Sequence, residues 1–174
     1  VDCKLHIIGD KVEAGDIVVL VVPVDSAAPK GRLIMPQQQV IRDLLDHQAV
    51  AVVTQVPELG SVLERLKGQV KLVITDSQAF KEVAQIVPKE LYLTSFSILF
   101  ARHKGNLKKL VEGLRYIDRL QDNSRVLIAE GCTHHRQCDD IGTVKIPRWL
   151  RQYTGKELVI ESSSGHEFPE DLTS

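Results

Sequence analysis

The chain has 174 residues, 43% of them apolar and 26% charged, with a formal net charge of −1. This length allows one large or two small domains with a real core, and the near-neutral charge disfavours nucleic acid or an anionic membrane as the main partner. The longest apolar run, residues 17–24, is far too short to cross a bilayer. Three cysteines indicate a reducing compartment, which we expect to be the cytoplasm, and the start at Val1 leads us to expect a fragment or a processed chain.

Strands and helices alternate along the first part of the chain. Strands are predicted where β-branched residues are dense, at residues 17–24, 50–53, 70–74 and 91–93, with a shorter partner at residues 3–8. Helices are predicted between them, over residues 36–47, 57–67 and 77–87. The first two of the four longer runs are expected to be buried strands. Since this alternation gives parallel strands with right-handed crossovers, residues 1–94 are predicted to form one small Rossmann-like unit.

A second unit is predicted from residue 95 to residue 174. Residues 95–105 are predicted to be a connector whose apolar middle docks between the two units. A long helix is predicted next, over residues 107–120, and its inward side consists of Leu110, Val111, Leu114 and Ile117. The remaining predicted elements are a strand at residues 126–129, a helix at 147–153 and a strand at 158–160. The predicted fold class is therefore α/β with two small parallel-sheet units, the second one truncated.

The familiar motifs of nucleotide-binding and hydrolytic enzymes are absent from the sequence. It contains no GxxxxGK[ST] phosphate loop, no GxGxxG, no HExxH and no GxSxG, so nucleotide hydrolysis is not encoded here and no catalytic residue is predicted. Asp25 and Asp76 each follow a predicted strand, where catalytic carboxylates often lie. We favour helix capping and turn formation as the role of both.

One loop, directly after the predicted strand at residues 126–129, concentrates side chains that can bind metals. They are Cys132, His134, His135, Cys138, Asp139 and Asp140. Ligands of open α/β sheets bind beyond the carboxyl ends of the strands, so this loop predicts a metal or nucleophile site. A lone cysteine after a strand is usually a small buried hydrophobe, but six such side chains together are hard to explain as packing. The spacing of Cys132 and Cys138 does not fit a zinc knuckle, and no CxxC pair occurs.

Five strings of the sequence resemble the FeFe-hydrogenase maturation GTPase family, HydF. They are APKGRLIMPQ (28–37), KLVITDSQ (71–78), LTSFSILFARHKG (93–105), EGCTHH (130–135) and DDIGTVKIPRW (139–149). The resemblance runs over most of the chain and covers the part that follows the family's N-terminal GTPase domain. It implies that residues 1–94 are a dimerisation domain whose sheet joins that of a second subunit at an edge. Residues 95–174 would be an iron–sulfur domain, incomplete at its C-terminus, that binds a 4Fe-4S cluster.

The resemblance also implies a function and a ligand set. The family accepts, holds and delivers the precursor of the hydrogenase di-iron subcluster, together with two radical-SAM maturases. Its cluster motif is CxH followed further along by HCxxC; Cys132 and His134 match the first part, and the second part does not occur in the rest of this chain. A carboxylate soon after the CxH is a proposed weak ligand, and Asp139 is the nearest match, with Asp140 beside it.

Two other interpretations of the loop are open from its residues. Cys132 could be the nucleophile of an α/β enzyme, with His134 or His135 as its base. Alternatively, Cys132, His134 and Cys138 could bind zinc. The resemblance favours a non-enzymatic, homodimeric carrier over both.

Overall fold

The computed structural model of the protein describes residues 6–24, 33–130 and 141–164. The chain forms two compact units, Val1–Leu107 and Lys108–Ser174. The domain boundary predicted after residue 94 stays a prediction. Among the described residues, no helix is both long enough and apolar enough to cross a membrane.

The first unit is a four-stranded parallel sheet covered by helices, as the alternating pattern predicts. Its strands are β1 (Ile17–Val21), β2 (Val50–Thr54), β3 (Val70–Thr75) and β4 (Tyr92–Ser95). They lie in the order β2-β1-β3-β4, and each neighbouring pair is parallel. The helices are α1 (Met35–Asp46), α2 (Leu59–Arg65), α3 (Phe80–Ile86) and α4 (Phe96–Lys104). The parallel α/β fold class is therefore confirmed.

The central position of β1 follows from its composition, because a run of β-branched residues without alternation is buried on both faces. Val18 and Leu20 face a cluster that contains Val40 and Leu44 of α1 together with residues of α4. Val19 and Val21, which alternate with them along β1, face the opposite side of the sheet and pack in a second cluster with side chains from α2 and α3. Residues 18–21 are fully buried. Two helical layers therefore cover β1.

Two predictions about the strands are wrong. β2 is at the edge of the sheet rather than inside it, and Val50 and Val53 are 47% and 48% exposed because only β1 pairs with this strand. The short strand predicted at residues 3–8 lies partly outside the described residues. Its described part, residues 6–8, is irregular and leads into a 3-10 turn, Gly9–Lys11.

The predicted connector at residues 95–105 is instead the helix α4. The Oγ atom of Ser95 accepts the N–H of Ile98 at 3.3 Å and caps the helix. Phe96 and Leu99 are buried in the core of the first unit. At the other end of α4, Arg102 donates to the backbone oxygen of Ile7 and forms an ion pair with Asp10. The apolar middle of this segment is therefore part of the core of the first unit, and the prediction that it docks between two units stays a prediction.

The second unit is built around a two-stranded parallel sheet. Its strands are β5 (Arg125–Glu130) and β6 (Val159–Ser164), and its helices are α5 (Leu107–Leu114), which begins at the boundary, and α6 (Ile146–Thr154). A 3-10 turn (Ile117–Arg119) follows α5, and a π-helix (Ile141–Lys145) precedes α6. Gly155, with a φ of 65°, ends α6 in the left-handed conformation that glycine favours. Both predicted strands and the helix at 147–153 are confirmed.

The helix predicted over residues 107–120 is shorter, and its apolar side is not buried. α5 ends at Leu114. Leu110, Val111 and Leu114, which were predicted to point inward, are 51%, 51% and 60% exposed. The helical periodicity is correct, but the described part of the second unit offers these side chains no surface on which to pack.

Candidate functional site

The predicted cluster-binding loop lies outside the described residues. Cys132, His134 and Asp139 all fall within residues 131–140, as do His135, Cys138 and Asp140. Their assignment as ligands therefore stays a prediction. The structure describes the two elements that flank this segment, β5 before it and the π-helix after it.

The two flanks of this segment are in direct contact. The side chain of Glu130, the last residue of β5, packs against the Cα atom of Gly142. Any residue other than glycine at position 142 would place its Cβ atom in the space of the Glu130 carboxylate. Gly142 is buried. Glycine at this position thus lets the π-helix return close to the carboxyl end of β5. Residues 131–140 connect two points that touch at the end of a parallel strand, which is where α/β sheets place their ligands.

Asp76 binds within the first unit. Its Oδ2 atom accepts a hydrogen bond from Nε2 of Gln37 at 3.0 Å, and its backbone oxygen accepts the N–H of Ala79 at 3.1 Å. Gln37 is buried in the first turn of α1 and also accepts the N–H of Ile34. Asp76 therefore joins the end of β3 to the start of α1, and its backbone shapes the following turn, as the turn interpretation predicts. The helix-capping interpretation is wrong for Asp76, because Ala79 is the N-cap of α3 and no side chain caps this helix. Asp25 lies outside the described residues.

Serine hydroxyls form a small polar cluster at the carboxyl ends of β3 and β4, near Asp76. Oγ of Ser97 hydrogen-bonds to Oγ of Ser95 at 2.9 Å and also to Oγ of Ser77. Ser95 is buried, and it caps α4 as well. The hydroxyls thus hydrogen-bond to one another and to the backbone, which gives this cluster a structural role in joining β4 and α4 to the turn after β3.

The exposed edge of β2 was missed by the sequence analysis. The N–H of Val50 donates to Asp16, and the oxygen of Thr54 accepts from Val22, so both residues pair towards β1. Since consecutive residues of a strand point their backbone groups to opposite sides, the N–H and C=O groups of Ala51 and Val53 point away from β1. Among the described residues these backbone groups of β2 have no partner, and the half-exposed side chains of Val50 and Val53 lie beside them.

A group of three side chains that can bind a metal was also missed. Within the part of the chain that the structure describes, His6, Asp43 and His47 each offer a ligand atom within 4.8 Å of the other two. Asp43 and His47 are four residues apart on a helix, which is a detectable signal. His6 is distant in the sequence, and only the fold brings it to the pair.

Comparison with known proteins identifies two matching family domains. Residues 7–105 match the Hydrogen maturase F dimerization domain, and residues 108–174 match the Hydrogen maturase F tetramerization domain. The division between the two matches coincides with the division between the two compact units. None of the curated proteins compared with the chain matches it.

Proposed function

Because the chain belongs to the hydrogen maturase F family, we propose that it is a non-enzymatic, self-associating scaffold in the maturation of FeFe-hydrogenase. In this proposal a loop of the second unit binds a 4Fe-4S cluster and holds the precursor of the di-iron subcluster as cargo. The chain then delivers this cargo to the hydrogenase, working with the radical-SAM maturases in the cytoplasm. Both matched domains are named for self-association, which supports an oligomeric carrier.

The observation that carries the cluster site is the contact between Glu130 and Gly142. Because Glu130 and Gly142 touch, the segment that carries the proposed ligands starts and ends at the carboxyl end of β5. Thiolate, imidazole and carboxylate are donor types that fit an iron–sulfur centre with one weak position. When bound, such a cluster supplies an iron atom whose weakest ligand can be exchanged for cargo.

We assign a different role in cluster binding to each type of side chain in the segment. Cys132 is the firm anchor, because a thiolate binds iron strongly, and His134 is a second ligand. Asp139 is the exchangeable ligand, because an oxygen donor is displaced more easily than sulfur. Any further ligand comes from His135, Cys138 or Asp140, or from outside this chain.

We propose that the first unit dimerises through the edge of β2. Val50 lies on the sheet face that α2 and α3 cover, opposite Ile17 in the register, whereas Val53 lies opposite Leu20 on the α1 face. Both valines are half exposed, so neither helical layer extends over this edge. A second sheet joined here would continue the sheet and both apolar layers at once.

The opposite edge of the sheet is less suited to pairing. β4 has four residues, follows the charged pair Lys89 and Glu90, and leads directly into α4. Charged residues near a strand are a usual protection of an edge against pairing, and β2, which is one residue longer than β4, contains none. A two-fold axis would place β2 antiparallel to β2 of the partner, which closes the assembly as a dimer.

We propose that the second unit associates through α5. Leu110, Val111 and Leu114 recur at helical spacing and form one apolar face, which we call the α5 face. A face of this kind is stable in water when a second apolar surface covers it. The match of this unit to a tetramerization domain supports a second copy of the chain as that surface.

The cluster proposal is tested by anaerobic reconstitution of the chain with iron and sulfide. We expect visible absorbance of an iron–sulfur cluster in the wild-type chain and its loss in Cys132→Ala. Cys3→Ala is the matched control and should keep the absorbance. Equal absorbance in the wild type and Cys132→Ala would contradict the proposal, and stoichiometric zinc in protein purified in air would favour the zinc alternative.

A further inference from the structure

The first unit contains a cluster of two imidazoles around one carboxylate, far along the chain from the Cys132 loop. His6 precedes the 3-10 turn, Asp43 lies in the last turns of α1, and His47 follows the end of α1. Oδ1 of Asp43 is 3.9 Å from Nδ1 of His6 and 3.7 Å from Nδ1 of His47. One ligand atom from each residue lies within 4.8 Å of the other two, so a cation about 2.0–2.2 Å from each atom would draw the three side chains slightly together.

The two oxygens of Asp43 have different surroundings. Oδ2 accepts three backbone hydrogen bonds, from Ile7 at 3.0 Å, Ile8 at 2.7 Å and Gly9 at 2.8 Å. These bonds fix the orientation of a carboxylate that is only 15% exposed. Oδ1 is thereby held towards the two imidazoles and is available as a metal ligand.

The ring of His47 is also held in place by its neighbours. Its Nδ1 atom is 2.7 Å from the backbone oxygen of Asp43, which it contacts as a donor when it carries the proton. Metal-binding histidines commonly donate one ring N–H to a carbonyl and use the other nitrogen as the ligand, which makes Nε2 the ligand nitrogen of His47. The imidazole ring of His47 packs against the Cα atom of Gly9, so a residue with a Cβ atom at position 9 would collide with the ring. Gly9 therefore provides the space that the imidazole occupies.

His6 completes the cluster on its open side. Its ring meets that of His47 edge to face, with centroids 4.6 Å apart. The side chain of His6 is 40% exposed, so water can reach the cluster and complete the coordination of a metal. The nearby cation Arg102 is already paired with Asp10, which reduces its repulsion of an incoming cation.

We infer that His6, Asp43 and His47 form a binding site for a divalent transition-metal ion, with water at the remaining positions. Two imidazoles and one carboxylate are a donor set that suits zinc, iron, nickel and related ions rather than magnesium or calcium. The metal would fasten the segment His6–Gly9 to the end of α1, directly before β2. This site is separate from the proposed cluster ligands and lies in the other unit.

The test is a calorimetric titration of zinc into the full chain with all three cysteines replaced by serine. Removing the thiolates prevents cluster binding, and the loss of affinity in His6→Ala and Asp43→Asn distinguishes this site from zinc bound by the imidazoles of the Cys132 loop. We expect about one equivalent of zinc to bind through these three ligands. Asp43→Asn and His6→Ala should each weaken this binding at least roughly tenfold. His103→Gln, a histidine of α4 outside the cluster, is the matched control and should leave it unchanged.

The variants differ in their structural risk. Asp43→Asn keeps an oxygen that can accept the three backbone N–H groups, so the turn is preserved while the charged ligand is lost. His6→Ala changes a partly exposed side chain and carries the test alone if Asp43→Asn does not fold. Absence of zinc binding in the cysteine-free chain, or equal affinity in His6→Ala and its parent, would overturn the inference.

Discussion

In the first unit two apolar layers enclose β1, whereas the described part of the second unit buries only Ile128, Pro147 and Leu158 among its apolar side chains. The first unit leaves one strand edge open. The second unit leaves a whole helix face open, together with Trp149 and Tyr153 of α6. The comparison indicates that association adds a margin to an existing core in the first unit. In the second unit, we propose that association supplies much of the apolar burial that the described residues do not provide.

The largest effect is expected from a truncation in the core of the first unit. Leu20→Ala removes a fully buried side chain from β1, and we expect the free energy of unfolding to fall by about 2–5 kcal/mol. Val159→Ala on β6 truncates a side chain of the second unit that is 44% exposed and lies outside the α5 face, and it is the contrasting control, with an expected change of about 0.5 kcal/mol in the stability of its own unit. Urea unfolding measures both. Similar losses for the two variants would remove the difference between the units.

A charge on the edge of β2 should weaken the dimer of the first unit. In Val53→Lys the two lysines of a two-fold pair would lie near each other, which we expect to cost about 3 kcal/mol and to raise the dimer Kd roughly 100-fold. Tyr92→Lys on β4, the other edge, is the matched control and should not change the Kd. Sedimentation equilibrium gives both values. A stronger effect of the β4 variant would assign dimerisation to the opposite edge.

A charge on the α5 face should weaken the association of the second unit by a smaller amount. Leu110→Lys removes the burial of one leucine at the interface, worth about 2 kcal/mol. Lys108→Ala, on the polar side of the same helix, is the control and should have little effect on assembly. Unchanged assembly in Leu110→Lys would show that another surface, such as the one around Trp149, is responsible.

The smallest effect concerns the ion pair that holds α4 to the 3-10 turn of the first unit. The hydrogen bond from Arg102 lowers the pKa of Asp10 below its ordinary value of 3.8. A lowered folded-state pKa adds stability above the unfolded pKa, and this stability is lost as the pH falls through the folded value. Asp10→Asn should therefore cost about 0.5–1 kcal/mol at pH 7, since the pair is partly exposed. The difference from wild type should vanish in acid.

Urea unfolding at pH 7 and in acid measures this difference. Asp46→Asn, which removes an exposed partner of Arg42, is the control and is expected to change stability less. A loss in Asp10→Asn that stays constant with pH would show that the side chain acts through packing rather than charge.

The sequence predicts β1 and misplaces β2 for the same physical reason. Both runs are apolar on both faces. Such a composition predicts that the side chains of a strand are buried, but it does not indicate whether the same chain or a second chain buries them. For β1 the cover is the chain's own helices, and for β2 we propose a second copy. The α5 face repeats this pattern, because Leu110 and its neighbours have correct helical spacing but no partner among the described residues of their unit.

The missed helix and the missed metal cluster have different causes. α4 carried a readable signal, since Ser95 is a favoured capping residue and Phe96 and Leu99 are spaced as on a helix. The interpretation as a connector gave this local signal too little weight. The cluster of His6 with Asp43 and His47 depends on a contact between distant segments, which a single sequence does not reveal. The proposed cluster site in the Cys132 loop rests on the residues of the loop, on the resemblance and on the contact between Glu130 and Gly142.

The central claim is that two independent surfaces, the edge of β2 and the α5 face, assemble this chain. Sedimentation of the wild type, Val53→Lys, Leu110→Lys and the double variant tests it most directly. We predict a tetramer for the wild type, a dimer for each single variant and a monomer for the double variant. A double variant that sediments like the wild type would contradict the claim.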